Sequence, residues 1–318
     1  MHLLVPFASS LSPACAQRLG ELALPHLDRL LALIDESARD ADDAYSFSPP
    51  HERALAAAWG WQGGDGALPF GAHAAAGDGI ATGEHAWALL TPAHWQIGRD
   101  SVVLLDPAAL SLSEEDSRAF FEAVRGLFES EGFRCAWGAP DRWYAAHADL
   151  DGLATASLDR AIGRSVDLWL RDRHAAGAMF QALRRLQSEA QLLLYTHPRN
   201  EARELRGELA VNSVWLSGCG RRQTAPDAAT PTVDTALRAP MLAGDWAAWG
   251  EAWQALDDGP LADLLQHARS GADATLTLCG ERTAARFEAA SGATLAARWR
   301  RARSRWRKTS AVALLAAL

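Results

Sequence analysis

Four cysteines in 318 residues, Cys15, Cys135, Cys219 and Cys279, form no CxxC pair and no zinc-ligand spacing. A disulfide framework is therefore excluded, and reduced thiols in a cytoplasmic protein are expected. No apolar run reaches the roughly 18–20 residues that a membrane span requires. The opening MHLLVPFASSLSPACA lacks a basic n-region, and Pro6 interrupts its apolar stretch. It reads as a first strand, Leu3 to Val5, and not as a leader. An excess of positive charge is missing too. The net charge of -8 and a pI near 5.7 argue against bulk nucleic-acid binding and leave room only for a local basic patch. There is no Walker loop, no Gly-x-Gly-x-x-Gly fingerprint and no Gly-x-Ser-x-Gly elbow.

What is present is ordinary globular composition, 49% hydrophobic and 22% charged, with length enough for a full core. The thirteen tryptophans are expected mainly in core and rim packing, because indole buries a large apolar area while keeping one donor to satisfy. Ser12 and Pro13 open a helix as N-cap and first residue, and Pro25 opens another with Leu27, Leu30, Leu31 and Ile34 on one face. The acidic stretch Asp35, Glu36, Asp40, Asp42 and Asp43 reads as a solvated connection. Pro50 to Trp59 is helical and stops at Gly60, and the Gly- and Ala-rich run to Gly83 reads as a long loop. Ala86–Leu90, Val102–Leu105, Phe133–Trp137 and Thr275–Cys279 read as strands. Ser113 with Asp116 resembles a capping box ahead of a Phe120, Val124, Phe128 stripe. Gly177 to Leu194 is the strongest helix, with Met179, Leu183, Leu186, Ala190 and Leu193 on one face. Arg221 to Pro240 reads as a loop, and Asp245 caps a helix carrying Trp246, Trp249, Trp253 and Leu256. Alternating strands and helices give the expected class: one α/β domain over residues 1–318, a mostly parallel sheet flanked by helices, with a helical and basic part after residue 240.

Binding chemistry crowds into Leu192–Gly220, LLLYTHPRNEARELRGELAVNSVWLSGCG. His197 and Pro198 break the long helix. Asn200 is expected to cap a short helix from Glu201 to Arg206, ended by Gly207. Val211 to Leu216 reads as a strand with Gly218 and Gly220 at its end, and ligands in α/β proteins gather at the carboxyl ends of strands.

His-Pro-x-Asn-x-x-Arg-x-x-x-Gly followed by Val-Asn-Ser-Val-Trp-Leu-x-Gly-x-Gly is similar to a signature of the archaeal-type, cofactor-independent phosphoglycerate mutases of the alkaline phosphatase superfamily. That resemblance covers roughly Leu105 to Gly220, with a trace at Leu24–Leu30. Over nearly its full length the chain resembles the proteobacterial regulatory protein RpfE family. The segments Ser46–Leu55, Leu90–Gly98 and Leu153–Arg160 take part in that closer resemblance.

The mutase resemblance implies an alkaline-phosphatase-like fold, here shortened, and a two-metal site with a hydroxyl nucleophile. Paired divalent ions neutralise phosphoryl oxygens and activate the attacking oxygen. The family's first ligand is an Asp followed by Gly after strand one, and Phe7 and Ala8 stand there. Its later Asp-x-x-x-His and Asp-His patterns are missing, since His267 is the one histidine after Gly220 and the late strand ends Leu278-Cys279-Gly280-Glu281. The residues therefore speak against a two-metal phosphotransferase, and the RpfE resemblance implies a non-catalytic regulatory or interaction protein with no cofactor. A metal-dependent mutase or phosphatase with a rearranged site is the alternative.

The anion-friendly part of the signature survives in His197, Asn200, Arg203 and Asn212, with Arg164 in a second matching segment. Arginine offers a planar fork to carboxylate or phosphate, so a remnant pocket for a phosphorylated or carboxylated metabolite is one reading. The other is structural: Asn200 caps, Arg203 pairs with Glu204 or Glu208, and Asn212 satisfies backbone. His94 and Asp106 follow strands, and with Ser9 or Ser10 they would make a nucleophile constellation, although a structural His94 is the simpler reading. Arg298–Lys308 interleaves arginine with Trp299 and Trp306. Arg300, Arg301 and Arg303 then either form a contact surface for nucleic acid or an acidic partner, or snorkel over a core.

Overall fold

The computed structural model describes residues 1–170, 177–224, 230–289 and 310–318. The chain begins β1 (His2–Val5), α1 (Pro13–Glu21), α2 (Pro25–Leu31), β2 (Ile34–Ala41), α3 (Pro50–Ala58) and α4 (Phe70–Gly77). It continues β3 (Ala86–Ala93), β4 (Trp95–Ile97), β5 (Val102–Leu104), α5 (Glu114–Ser130), β6 (Arg134–Ala139) and β7 (Arg142–Ala146). Next come α6 (Leu158–Ala161), α7 (Ala178–Tyr195), α8 (Pro198–Leu205), β8 (Ser213–Arg221) and β9 (Thr232–Val233). The last elements are α9 (Arg238–Ala243), α10 (Trp246–Leu256), α11 (Ala262–Arg269), β10 (Thr275–Cys279), β11 (Thr283–Ala289) and α12 (Ala311–Leu315). The class is mixed α/β, and the chain forms two compact units.

The first unit comprises Met1–Ala44, Pro49–Gly60 and Ala225–Leu318. Its sheet runs β2-β11-β10-β1-β9. β1 lies parallel to β10 and to β9, whereas β11 runs antiparallel to both β10 and β2. Leu3, Val5, Leu276 and Leu278 pack with Leu27 and Leu30 of α2, Trp249 and Trp253 of α10 and Leu264 of α11. Asp245 caps α10 by accepting from the Ala248 amide, and Trp246, Trp249 and Trp253 stack edge-on at 6.0 and 6.1 Å, so that stripe is core.

The acidic stretch after Ile34 is an edge strand as far as Ala41, and only Asp42 and Asp43 belong to the connection that follows. β2 is exposed at every residue after Ile34, which is why its composition reads as solvated, yet its main chain is registered against β11. Charged side chains on such an edge oppose pairing with another chain.

The second unit comprises Tyr45–Ser48 and Trp61–Thr224. Its sheet, β6-β7-β3-β8, is antiparallel throughout. Phe120, Val124 and Phe128 of α5 and Leu186, Ala190 and Leu194 of α7 bury against Trp143 and Val214. α7 is rotated slightly from the expected stripe: Leu194 is fully buried and Leu193 is 40% exposed. Both lie close to one turn from Ala190, and only the neighbouring elements decide between them.

Part of the run from Gly60 to Gly83 is also helical. α4 buries Gly71, Ala72 and Ala75. A Cβ on Gly71 would lie 2.6 Å from the Leu89 nitrogen and 2.8 Å from the Gly218 oxygen, both main chain. The helix lies so close to β3 and β8 that only small residues fit, and small residues carry no apolar periodicity to read.

Candidate functional site

α8 begins at Pro198, and its N-cap is His197, one turn earlier than the expected Asn200. Proline needs no N–H at the first helical position, so it opens this helix as well as ending α7. The His197 Nδ1 accepts from the Arg199 amide at 3.2 Å, and its ring lies 4.8 Å from that of Phe120. Burial, with help from the Arg199 charge and against Asp116, holds its pKa below the ordinary histidine value.

Asn200 is buried within α8. Its Nδ2 donates to the carbonyls of Leu194 and Val211, each at 2.8 Å, and its Oδ1 accepts the Val211 amide at 2.9 Å. Asn212, one residue beyond Val211, accepts the Trp95 amide at 2.7 Å and donates to the Trp95 carbonyl at 3.0 Å.

Arg203 is fully buried. Its Nε donates to the Leu209 carbonyl at 2.9 Å, and one terminal nitrogen donates to the Leu110 carbonyl. The other stands 3.4 Å from Asp116 and 3.1 Å from Glu208. Asp116, itself buried, also meets Arg199 at 3.3 Å and Arg206 at 3.1 Å. With Glu115 on Arg199, three arginines face three carboxylates, Glu115, Asp116 and Glu208. The formal charge of this cluster is balanced without a ligand.

The sequence pattern thus brings Asn200 and Arg203 together on one helix, with Asn212 beside them through Val211. Arg164 sits with its guanidinium 5.9 Å from the Trp169 ring, and its carbonyl accepts from the Leu104 amide. Sequence reasoning missed Asp116 as the centre of the network. Its place three residues after an N-cap serine explained it fully as a capping residue, and nothing local shows a partner some 87 residues away.

In the first unit, the carboxyl ends of β1 and β10 are the place where a parallel α/β sheet offers a crevice. Phe7 stands there with φ 58°, its ring 5.0 Å from His51 and its carbonyl accepting the Trp249 Nε1 at 3.0 Å. The Ala8 amide donates to the Cys279 carbonyl at 2.8 Å. Cys279 is buried, and burial drives its thiol pKa well up. Glu281 accepts from the Ser10 hydroxyl at 3.0 Å and from the Leu11 amide at 2.9 Å. A Cβ on Gly280 would lie 2.7 Å from both the Ser9 hydroxyl and the Leu318 side chain, so position 280 has no room for a side chain.

Among the described residues, acid and imidazole groups converge at metal-ligand spacing elsewhere in this unit, at His26, Asp257 and Asp258. Asp257 is already committed there: it accepts the amides of His26 at 3.0 Å and Leu27 at 2.8 Å, fixing the first turn of α2.

His94 Nδ1 contacts the Ala210 carbonyl at 2.8 Å, and Asp106 caps the short turn at Pro107–Leu110. Arg300, Arg301 and Arg303 lie outside the described residues. Among the described residues no helix is long and apolar enough to cross a membrane.

No protein-family model matches the chain, and no curated protein matches it. Two solved structures are similar over most of their length. A cofactor-independent phosphoglycerate mutase from Thermoplasma acidophilum DSM 1728 aligns with 90% of this chain and 89% of its own, at 14% identity and a TM-score of 0.35. The PH0037 protein from Pyrococcus horikoshii aligns with 92% of this chain and 88% of its own, at 11% identity and a TM-score of 0.45.

Proposed function

We propose that this chain is a non-catalytic regulatory or interaction protein of the RpfE type, acting in the cytoplasm by binding a metabolite or a protein partner. The observation that carries this reading is the set of residues standing at the ends of β1 and β10. Phe7, Ala8, Cys279 and Gly280 occupy positions where two-metal phosphoryl transfer needs converging carboxylates and imidazoles. Phenylalanine and alanine side chains supply no metal ligand at all. A thiol whose pKa is raised by burial supplies a poor one, because the metal-binding form is the thiolate. The four unpaired cysteines fit a reducing compartment.

Metal analysis and turnover measured together test this. The purified protein is expected to retain no stoichiometric pair of divalent ions and to show no phosphoglycerate mutase or phosphatase activity with added manganese or zinc. Two bound equivalents, with turnover abolished by a chelator, overturn the proposal.

A further inference from the structure

The second unit contains a slot that His197, Asn200, Arg203 and Asn212 do not line. One wall is a stripe of α7, Phe180, Leu183, Arg184 and Gln187, spaced so that all four share one helical face. The strand β8 supplies Val214, Trp215 and Leu216, and Phe47 and Trp169 also line it. The slot encloses about 610 Å³ with its open mouth included, and most of that space lies within a water radius of the wall. Such a shape suits a slim chain better than a fused ring system.

Its polar content is small and one-sided. The Gln187 amide nitrogen is committed to the Val214 carbonyl at 3.0 Å, and its oxygen receives only a long contact, 3.4 Å, from Arg184. Arg184 has no carboxylate partner among the described residues, whereas its neighbour Arg185 is paired with Glu131 and Glu189. A half-buried guanidinium lining an apolar slot, with no counter-charge among the described residues, is complementary to an anionic head on an apolar body.

We propose that this slot binds an amphipathic carboxylate of medium chain length, its alkyl part between α7 and β8 and its carboxylate on Arg184. The proposal goes beyond the functional reading above and does not depend on it, because the residues concerned all belong to the second unit. Trp169 and Trp215 in the wall provide a built-in probe.

Decanoate, titrated below its micelle concentration into the full chain, is expected to change tryptophan fluorescence saturably, with a fitted stoichiometry of one. Decanol is expected to bind about tenfold more weakly, the usual scale for losing one charge-assisted contact. Arg184→Gln is expected to lower decanoate affinity to the decanol level, leave decanol unchanged and keep the melting temperature. Leu183→Trp, which fills the slot, is expected to abolish both. Equal binding of acid and alcohol, full decanoate affinity in Arg184→Gln, or no saturable signal from decanoate with the wild type each overturns the proposal. If Leu183→Trp fails to fold, the Arg184→Gln comparison still decides.

Discussion

Arg203 and Asp116 form a buried ion pair, 3.4 Å apart, linking α8 to the first turn of α5. The guanidinium also holds the carbonyls of Leu110 and Leu209, so each side of its fork ends on a protein group. Removing it leaves the Leu110 and Leu209 carbonyls without their donor and leaves Asp116 only the more exposed Arg199 and Arg206.

Arg203→Ala is therefore expected to lower stability by about 2–5 kcal/mol, chiefly from two buried carbonyls left without a donor at about 1–3 kcal/mol each. Arg203→Lys should restore less than half, since an ammonium lacks the planar fork. Urea denaturation measures both. The anion-pocket expectation for His197, Asn200, Arg203 and Asn212 makes the opposite forecast. Under it, Arg203→Ala changes stability by less than about 1 kcal/mol, and a phosphorylated metabolite raises the melting temperature of the wild type but not of the variant.

Gly71→Ala is expected to cost about 2 kcal/mol or more, the scale of overpacking against atoms that cannot move aside. The added methyl meets main-chain atoms of Leu89 and Gly218. The neighbouring Gly77, with nothing within 4 Å of its Cβ position, serves as the control. Gly77→Ala should be neutral or stabilising, as alanine favours a helix. A Gly71 variant as stable as wild type in urea denaturation removes α4 from the sheet face.

His2, at the start of β1, touches the Thr277 hydroxyl at 2.9 Å and has a pKa held down to about 4, chiefly by burial and next by the Arg286 charge. In the unfolded chain the ring titrates near pH 6.5. Between those values the unfolded state binds a proton that the folded state refuses. This contribution to stability is therefore complete above about pH 6.5 and is lost as the pH falls toward 4. His2→Gln, which keeps a hydrogen-bonding group, is expected to flatten the fall in unfolding free energy between pH 6.5 and 5. An unchanged slope in denaturant titrations at those pH values refutes the assignment.

What the sequence determined by itself was local. Ser113 and Asp245 were legible as caps because capping is decided within four residues. The tryptophans of α10 and the stripe of α5 were legible because burial on one face imposes a 3.6-residue period. That Phe7 and Ala8, which offer no metal ligand, follow the first strand needed only the order of residues along the chain. Tertiary structure decided the rest. It made an edge strand of the acidic stretch after Ile34 by setting β11 beside it, a pairing between segments about 250 residues apart. It made a helix of the glycine- and alanine-rich run before β3, whose only signature is the space it does not take up. The same rule governs the signature residues. Their types announced hydrogen bonding to something, but a side chain's partner depends on what the fold brings within about 3 Å. Here Asn200 and Asn212 met the main chain of Val211 and Trp95, and Arg203 met Asp116.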